Sequence, residues 1–228
     1  MLISLCIPVH NRTHDLKRTM PYIIEAANAS PPVEIAVLDY NSPDDLSRFI
    51  QAVNHIKFDD DVSMMYRKYV GRTHFHKAHA FNLAILMSHG EYFVLMGADA
   101  YPESGYIAML RTLIDQGYQW MHGRDLCGIV ACERKAFIDA GGYDERFEFY
   151  GPEDRDLDDR MMRRGLKFGA VPRGLMHVIP TPDEDKVKDY GVNLSKRQMS
   201  KLMRRIYDEN NANALLVANQ GKLWGQWL

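Results

Sequence analysis

Cysteine is scarce in this chain and shows no pairing pattern. Cys6, Cys127 and Cys132 make an odd count without a C-x-x-C spacing, which argues against a disulfide framework and a thiolate zinc site. Cys6 sits in an apolar run and reads as a small buried residue in a reducing compartment. Long apolar runs are lacking too, and no stretch approaches the roughly 20 residues of a membrane-spanning helix. The opening Met1-Leu2-Ile3-Ser4-Leu5 has no basic lead and no cleavage site, so it reads as a first strand rather than a signal peptide. The expected location is the cytoplasm, including the inner face of the membrane. An excess of one charge is also missing: 28 Lys and Arg face 30 Asp and Glu, a formal net charge of -2. That balance argues against a general nucleic-acid binder. Internal repeats, low-complexity linkers and a Gly-rich phosphate loop after the first apolar run are absent as well.

What is present is ordinary for a globular protein, 46% apolar and 25% charged over 228 residues. That length suits one well-cored domain with a small appendage. Residues 2–9 form a nearly continuous apolar run, as in a strand buried on both faces. A helical pattern follows to about Asn28, with an interruption expected at Pro21. Residues 34–39 read as a second strand. Asn41-Ser42-Pro43-Asp44 predicts a cap with proline at the first helical position, opening a helix to about Asn54. Residues 62–66 and 91–96 read as strands and 76–88 as a helix. Strands alternating with helices predict an α/β fold with a mostly parallel sheet, whose ligands bind beyond the carboxyl ends of the strands. The second half predicts helices at 103–116 and 134–140, strands at 129–132 and 167–171, a flexible loop at 180–185, and a basic amphipathic helix at 195–208.

Chemistry concentrates in three places. Gly151-Pro152-Glu153-Asp154-Arg155-Asp156-Leu157-Asp158-Asp159 is a turn into a helix with a strongly acidic start. The helix dipole accounts for one or two such acids, but five this close repel one another. Glu153 and Asp154, at the expected exposed start, suit general-base work. Asp99 follows a buried strand, a position common for metal-binding acids. His177 sits alone in an apolar stretch. Together with diphosphate oxygens and water, Asp99 and His177 would suit Mn²⁺ over Mg²⁺.

In this order, these residues resemble the family 2 glycosyltransferases of the GT-A fold. The later half is similar to the galactosyltransferase-type region shared with β-1,4-galactosyltransferases and polypeptide N-acetylgalactosaminyltransferases. The resemblance spans roughly residues 2–180, with 1–100 as the nucleotide-binding half, 101–180 as the acceptor half and 181–228 as a loop and helical extension. Ile7-Pro8-Val9-His10-Asn11-Arg12 resembles the Pro-x-x-Asn-Arg turn beside the nucleotide, and the segment from Val37 through Asp39 and Asn41 to Asp44 resembles the one that receives uracil. Phe75 to Asn82, with Lys77 and His79, is similar to the basic helix start near base and diphosphate. Tyr92 to Pro102 resembles the strand leading into Asp-x-Asp, and Gly141 to Asp154 the acceptor and base motif. His177 falls where galactosyltransferase-like members place a metal-binding histidine. Two departures stand out: Gly97 replaces the first acid of Asp-x-Asp, and Tyr40 replaces the second acid of the uracil segment.

The resemblance implies donor-binding roles for Pro8, Asn11, Arg12, Asp39, Asn41, Lys77, His79, Asn82 and Asp99. It implies catalytic roles for Asp154, as base, and for Glu153, hydrogen-bonded to the acceptor or donor sugar, and Mn²⁺ or Mg²⁺ on Asp99 and His177. The implied donor is a UDP-sugar, the acceptor a glycan or lipid-linked saccharide, and the displacement inverting. Two other readings compete: a sugar nucleotidylyltransferase, disfavoured by the missing Gly-rich loop, and a non-catalytic sugar-nucleotide or glycan-binding module, favoured only by Gly97. The basic helix, with Trp224 and Trp227 after it, fits packing on the domain, a membrane surface or a homodimer contact.

Overall fold

The computed structural model describes residues 1–56 and 58–227. Its centre is a seven-stranded sheet in the order β3-β2-β1-β4-β7-β6-β8. β1 (Ile3–Val9) and β2 (Val33–Tyr40) are buried along their whole length, as expected of mainly apolar strands covered on both faces; Ser4, Glu34 and Asp39 are their buried polar residues. β3 (Val62–Tyr69) and β4 (Tyr92–Leu95) flank them, and these four strands run parallel. β7 (Leu126–Glu133) is antiparallel to β4 and to β6 (Trp120–Gly123), which pairs in parallel with β8 (Phe168–Ala170). β5 (Ala100–Pro102) and β9 (Met176–Val178) form a separate antiparallel pair.

Alternation along the central strands fills two cores. Leu5, Ile7, Val9, Ile35 and Val37 face one side, against α1 (Thr13–Ala29) and α4 (Tyr106–Asp115). Cys6, Ala36, Leu38 and Tyr40 face the other, against α3 (Lys77–Met87), α5 (Arg134–Asp139), α6 (Glu153–Arg163) and α8 (Lys196–Ala212). The result is a three-layer sandwich, in which each fully buried aliphatic side chain contributes about 1.5–3 kcal/mol. α2 (Leu46–Val53) and α7 (Asp183–Val187) complete the set.

The structure departs from expectation in several places. α1 runs unbroken through Pro21, which lies on its exposed face. The hydrogen bond that proline cannot donate is lost on the solvent side, while Leu16, Met20, Ile23 and Ala27 keep the stripe buried. α2 begins at Leu46, so Pro43 is not its first residue. Asp44 instead accepts from the Thr13 N–H at 2.9 Å and the Thr13 hydroxyl at 2.7 Å, tying residues 41–45 to the start of α1. The expected loop at 180–185 turns into α7 at Asp183. β5, β6 and β9 were not expected, and β9 carries His177.

α8 opens with a Ser195–Gln198 capping box and buries Met199, Met203 and Tyr207. Leu202 on the same helix is exposed. A Cβ on Gly151 would sit 2.4 Å from Met203, so α8 lies directly against the turn before α6. The tail folds back further: Ala218 N–H donates to Ala140 O at 3.0 Å, and Trp224 meets Phe137 edge-on at 6.3 Å. Among the described residues, no helix is long and apolar enough to cross a membrane.

Candidate active site

Parallel pairing brings the carboxyl ends of β1, β2 and β4 to one rim. β7 enters from the opposite direction. Val130 pairs with Leu95, so residues 126–129 overshoot β4 toward that rim. Two adjoining cavities open there, of about 490 Å³ and 530 Å³, with His10 and Asp189 lining both. Either volume falls within the range of small-molecule sites.

Asn11 and Asn41 turn the chain at the ends of β1 and β2 with φ of 54° and 50°. Asparagine tolerates this left-handed conformation better than bulkier residues do. Their side chains hold neighbouring segments: Asn11 Nδ2 donates to Asp189 Oδ1 at 2.9 Å, and Asn41 Nδ2 to Arg72 O at 2.9 Å. Asp39 is buried, accepting the Ser42 N–H at 2.7 Å and the Tyr66 hydroxyl at 2.6 Å.

Pro8, Arg12, Lys77, Asp99 and Asp154 all line the smaller cavity. Arg12 Nε pairs with Asp15 at 2.8 Å, and its Nη2 lies 3.5 Å from Asp99 Oδ2 and donates to Thr181 Oγ1 at 2.9 Å. Burial pushes the Asp99 carboxyl above its ordinary pKa, against the pull of Arg12. Gly97 has a steric role: a Cβ there would lie 2.5 Å from Asp99 Oδ1. The carboxylate therefore folds back over a residue without a side chain, and an acid at 97 is incompatible with this position of Asp99.

The acidic helix start divides its work. Asp156 pairs with fully buried Arg160 at 2.9 Å and accepts from Asn210 at 2.7 Å. Asp158 accepts from Trp120 Nε1 at 2.6 Å and lies 3.3 Å from His122, while Asp159 accepts from the Tyr207 hydroxyl at 2.7 Å. Glu153 is not at the exposed start as expected. It is 1% exposed, with Oε2 accepting the Gly151 N–H at 3.0 Å and Oε1 paired with Lys77. Burial pushes its pKa up to about 7, with Lys77 opposing the rise and Asp154 adding to it. That leaves Asp154 as the helix-start carboxylate on the cavity wall. Its Oδ2 lies 3.1 Å from Lys77 Nζ, and a Cβ on Gly128 would come within 3.2 Å of that oxygen. Glycine at 128, on the overshooting end of β7, leaves the carboxylate its space.

Besides Glu153, five expected residues stand off both cavity walls: Asn11 and Asp39, with the contacts given above, and His79, Asn82 and His177. His79 is bonded to the Tyr40 hydroxyl at 2.8 Å and lies 3.2 Å from Gln226 O. Asn82 holds the Gly141-Gly142-Tyr143 turn, accepting the Tyr143 N–H at 2.9 Å and donating to Tyr143 O at 3.0 Å. His177 pairs across strands with Tyr101, stacks on its ring at 5.2 Å, and places Nε2 2.8 Å from Glu103 Oε1. Its strand neighbours across and along the pair, Ala100 and Val178, line the cavity instead. Strand alternation therefore turns His177 away from Asp99 and Asp154.

Sequence reasoning missed Asp189 and Tyr190 on the cavity wall. They lie in a segment assigned to the extension, where Asp189 O accepts the Phe75 N–H at 2.9 Å and Tyr190 packs edge-on against Phe75 at 5.7 Å. Among the described residues, no three His, Cys, Asp or Glu side chains gather as a metal cage. Asp99, on the cavity wall, fits a different arrangement, in which Mg²⁺ or a similar ion is held by one or two acids plus substrate phosphates and water.

The mostly parallel sheet flanked by helices, with cavities at its carboxyl rim, is that of the GT-A fold. The chain belongs to glycosyl transferase family 2, whose pattern it matches over residues 4–129. Residues 114–183 also match the N-terminal domain of galactosyltransferase. Among curated proteins no sequence matches. Solved structures share the fold at low identity. The mannosyltransferase PcManGT from Pyrobaculum calidifontis, in complex with GDP-Man and Mn²⁺, is 17% identical with a TM-score of 0.64, covering 94% of this chain and 71% of that one. S. aureus TarS 1-349 in complex with UDP is 10% identical with a TM-score of 0.63, covering 93% and 72%. Glucosyl-3-phosphoglycerate synthase from Mycobacterium tuberculosis, in complex with Mg²⁺ and UDP, is 16% identical with a TM-score of 0.56, covering 81% and 73%.

Proposed function

We propose that this glycosyltransferase moves a hexose or N-acetylhexosamine from a UDP-sugar to a hydroxyl of a glycan or lipid-linked saccharide, with inversion. The observation that carries this reading is the presence of Asp99 and Asp154, 55 positions apart in sequence, on the wall of one cavity. Asp154 is the base: its carboxylate takes the proton of the acceptor hydroxyl as that oxygen attacks the sugar. Arg12 and Lys186, both on the cavity wall, supply positive charge toward the donor's phosphates. Asn11, Asn41 and Asp39 shape the nucleoside side of the rim through the contacts described above. Asp99 is the protein ligand for Mn²⁺ or Mg²⁺, the ions found in the solved relatives with nucleotide. When bound, such an ion neutralises the charge that develops on the leaving diphosphate. Glu153 supports the site from beneath and does not reach the sugar.

Thermal-shift screening of nucleotide sugars with Mn²⁺ identifies the donor, and turnover is then measured on that donor. Asp154→Asn is expected to keep donor affinity and lose roughly a hundredfold in turnover, the scale of a lost general base. Normal turnover in that variant would remove Asp154 from the role. Activity is also expected to disappear with EDTA and to return best with Mn²⁺; full activity after exhaustive chelation would make Asp99 a residue of the donor pocket alone. The binding-module reading predicts UDP affinity without sugar release, which the same turnover assay detects.

A further inference from the structure

We propose that Lys77 is a positioning residue for the base Asp154, clamped in place by Glu153, and not a ligand of the donor's phosphates. This rests on the reading of Asp154 as base. The Lys77 side chain is only 17% exposed, and its ammonium is already committed. One side meets Glu153 Oε1 and another lies 3.1 Å from Asp154 Oδ2. The rings of Phe81 and Tyr150 cover its flanks, with centroids at 5.2 Å and 5.4 Å. An ammonium has three donors and no acceptor; here two carboxylates and two aromatic faces surround it.

Charge points the same way. A lysine between two carboxylates belongs to a cluster with no net positive field to offer a diphosphate. Burial opposes its charge, yet Asp154 and Glu153 outweigh that and hold the Lys77 pKa well above the ordinary lysine range. Arg12, beside Asp99 at 3.5 Å, is the cation on the donor side. Glu153 completes the device from beneath. It is nearly inaccessible, and its two oxygens are spent on the Gly151 N–H and on Lys77. Lys77 thus holds Asp154 by Oδ2, the oxygen beside Gly128, while Oδ1 is buried without a partner among the described residues. The other titratable groups that sense the Asp154 charge are Tyr143 after α5, Tyr190 after α7, Cys127 on β7 and His122 on β6. Among the described residues, Lys77 is the cation in direct contact with Asp154.

Lys77→Met and Lys77→Met/Glu153→Gln separate the two roles. The double variant leaves no unpaired buried Glu153 charge, so it keeps the fold if the single variant does not. UDP affinity in the presence of Mn²⁺, measured by calorimetry, is expected to stay within about twofold of the wild type, because no phosphate contact is lost. Turnover on the screened donor is expected to fall at least about tenfold. The loss is expected in kcat, with KM for the donor within about twofold of the wild type. A tenfold or larger loss of UDP affinity with kcat kept would overturn the proposal and return Lys77 to the phosphates. Normal turnover in Asp154→Asn would instead remove the base, and UDP affinity in the Lys77 variants would still decide whether the lysine serves the donor.

Discussion

Gly97 explains the missing first acid of Asp-x-Asp through space rather than charge. The carboxylate of Asp99 occupies the volume that any side chain at 97 would enter. Gly97→Ala is therefore expected to leave the fold within about 1 kcal/mol, because the displaced atoms are the free end of a side chain. It is expected to turn Asp99 away and raise the Mn²⁺ concentration needed for half-maximal activity about tenfold. Titrating activity against Mn²⁺, with a thermal melt alongside, checks both. An unchanged metal requirement would show that Asp99 serves from either position. The motif order pointed to residues 99 and 154, because family pattern and strand ends can be read from a single chain. The turning of His177 away from them could not be read, because it depends on a three-residue strand too short to show periodicity. Nor could the burial of Glu153, which depends on Lys77 arriving from a helix more than 70 positions earlier.

Helix α3 begins at the cavity and starts with an unusual cap. His76 Nδ1 accepts the His79 N–H at 3.2 Å. Burial first, then the nearby Arg72 and His79, bring the His76 pKa down to about 4 from 6.5. Between those values the unfolded chain binds a proton that the folded one refuses, so stability is complete above pH 6.5 and declines as pH falls toward 4. Lowering a pKa by one on folding corresponds to about 1.4 kcal/mol. A protonated imidazole has no lone pair for the His79 N–H, so acid also uncaps the helix. His76→Asn keeps a capping oxygen and does not titrate. Its melting temperature is expected to fall less than the wild type's between pH 6.5 and pH 4; parallel curves would mean that the histidine is already solvated. The long elements were visible in the chain because β1 and β2 carry mainly apolar runs and α1 an apolar stripe. β5, β6 and β9 have three or four residues each and are defined by their partners.

The C-terminal quarter is built into the α6 side of the molecule. Asn210 on α8 donates to Asp144 at 3.0 Å and to Asp156 at 2.7 Å, joining the turn after α5 to α6. Asn219 holds the carbonyls of Gly141 and Tyr143 at 2.8 Å and 2.7 Å. A chain ending at Ser195 would leave Asp144 and Asp156 short of a donor, at about 1–3 kcal/mol each, and uncover Met161 and Gly151. Such a chain is expected to lose cooperative unfolding, as followed by circular dichroism. A cooperative melt at the original temperature would show that α8 is dispensable to the fold. From sequence, this region had three open placements, because an amphipathic stripe identifies a covered face but not its cover.

His10 and Asp189 stand at the junction of the two adjoining cavities. A ligand that spans the junction enjoys both chambers at once, and each half raises the local concentration of the other. Cutting such a ligand at its middle turns one tight guest into two loose ones.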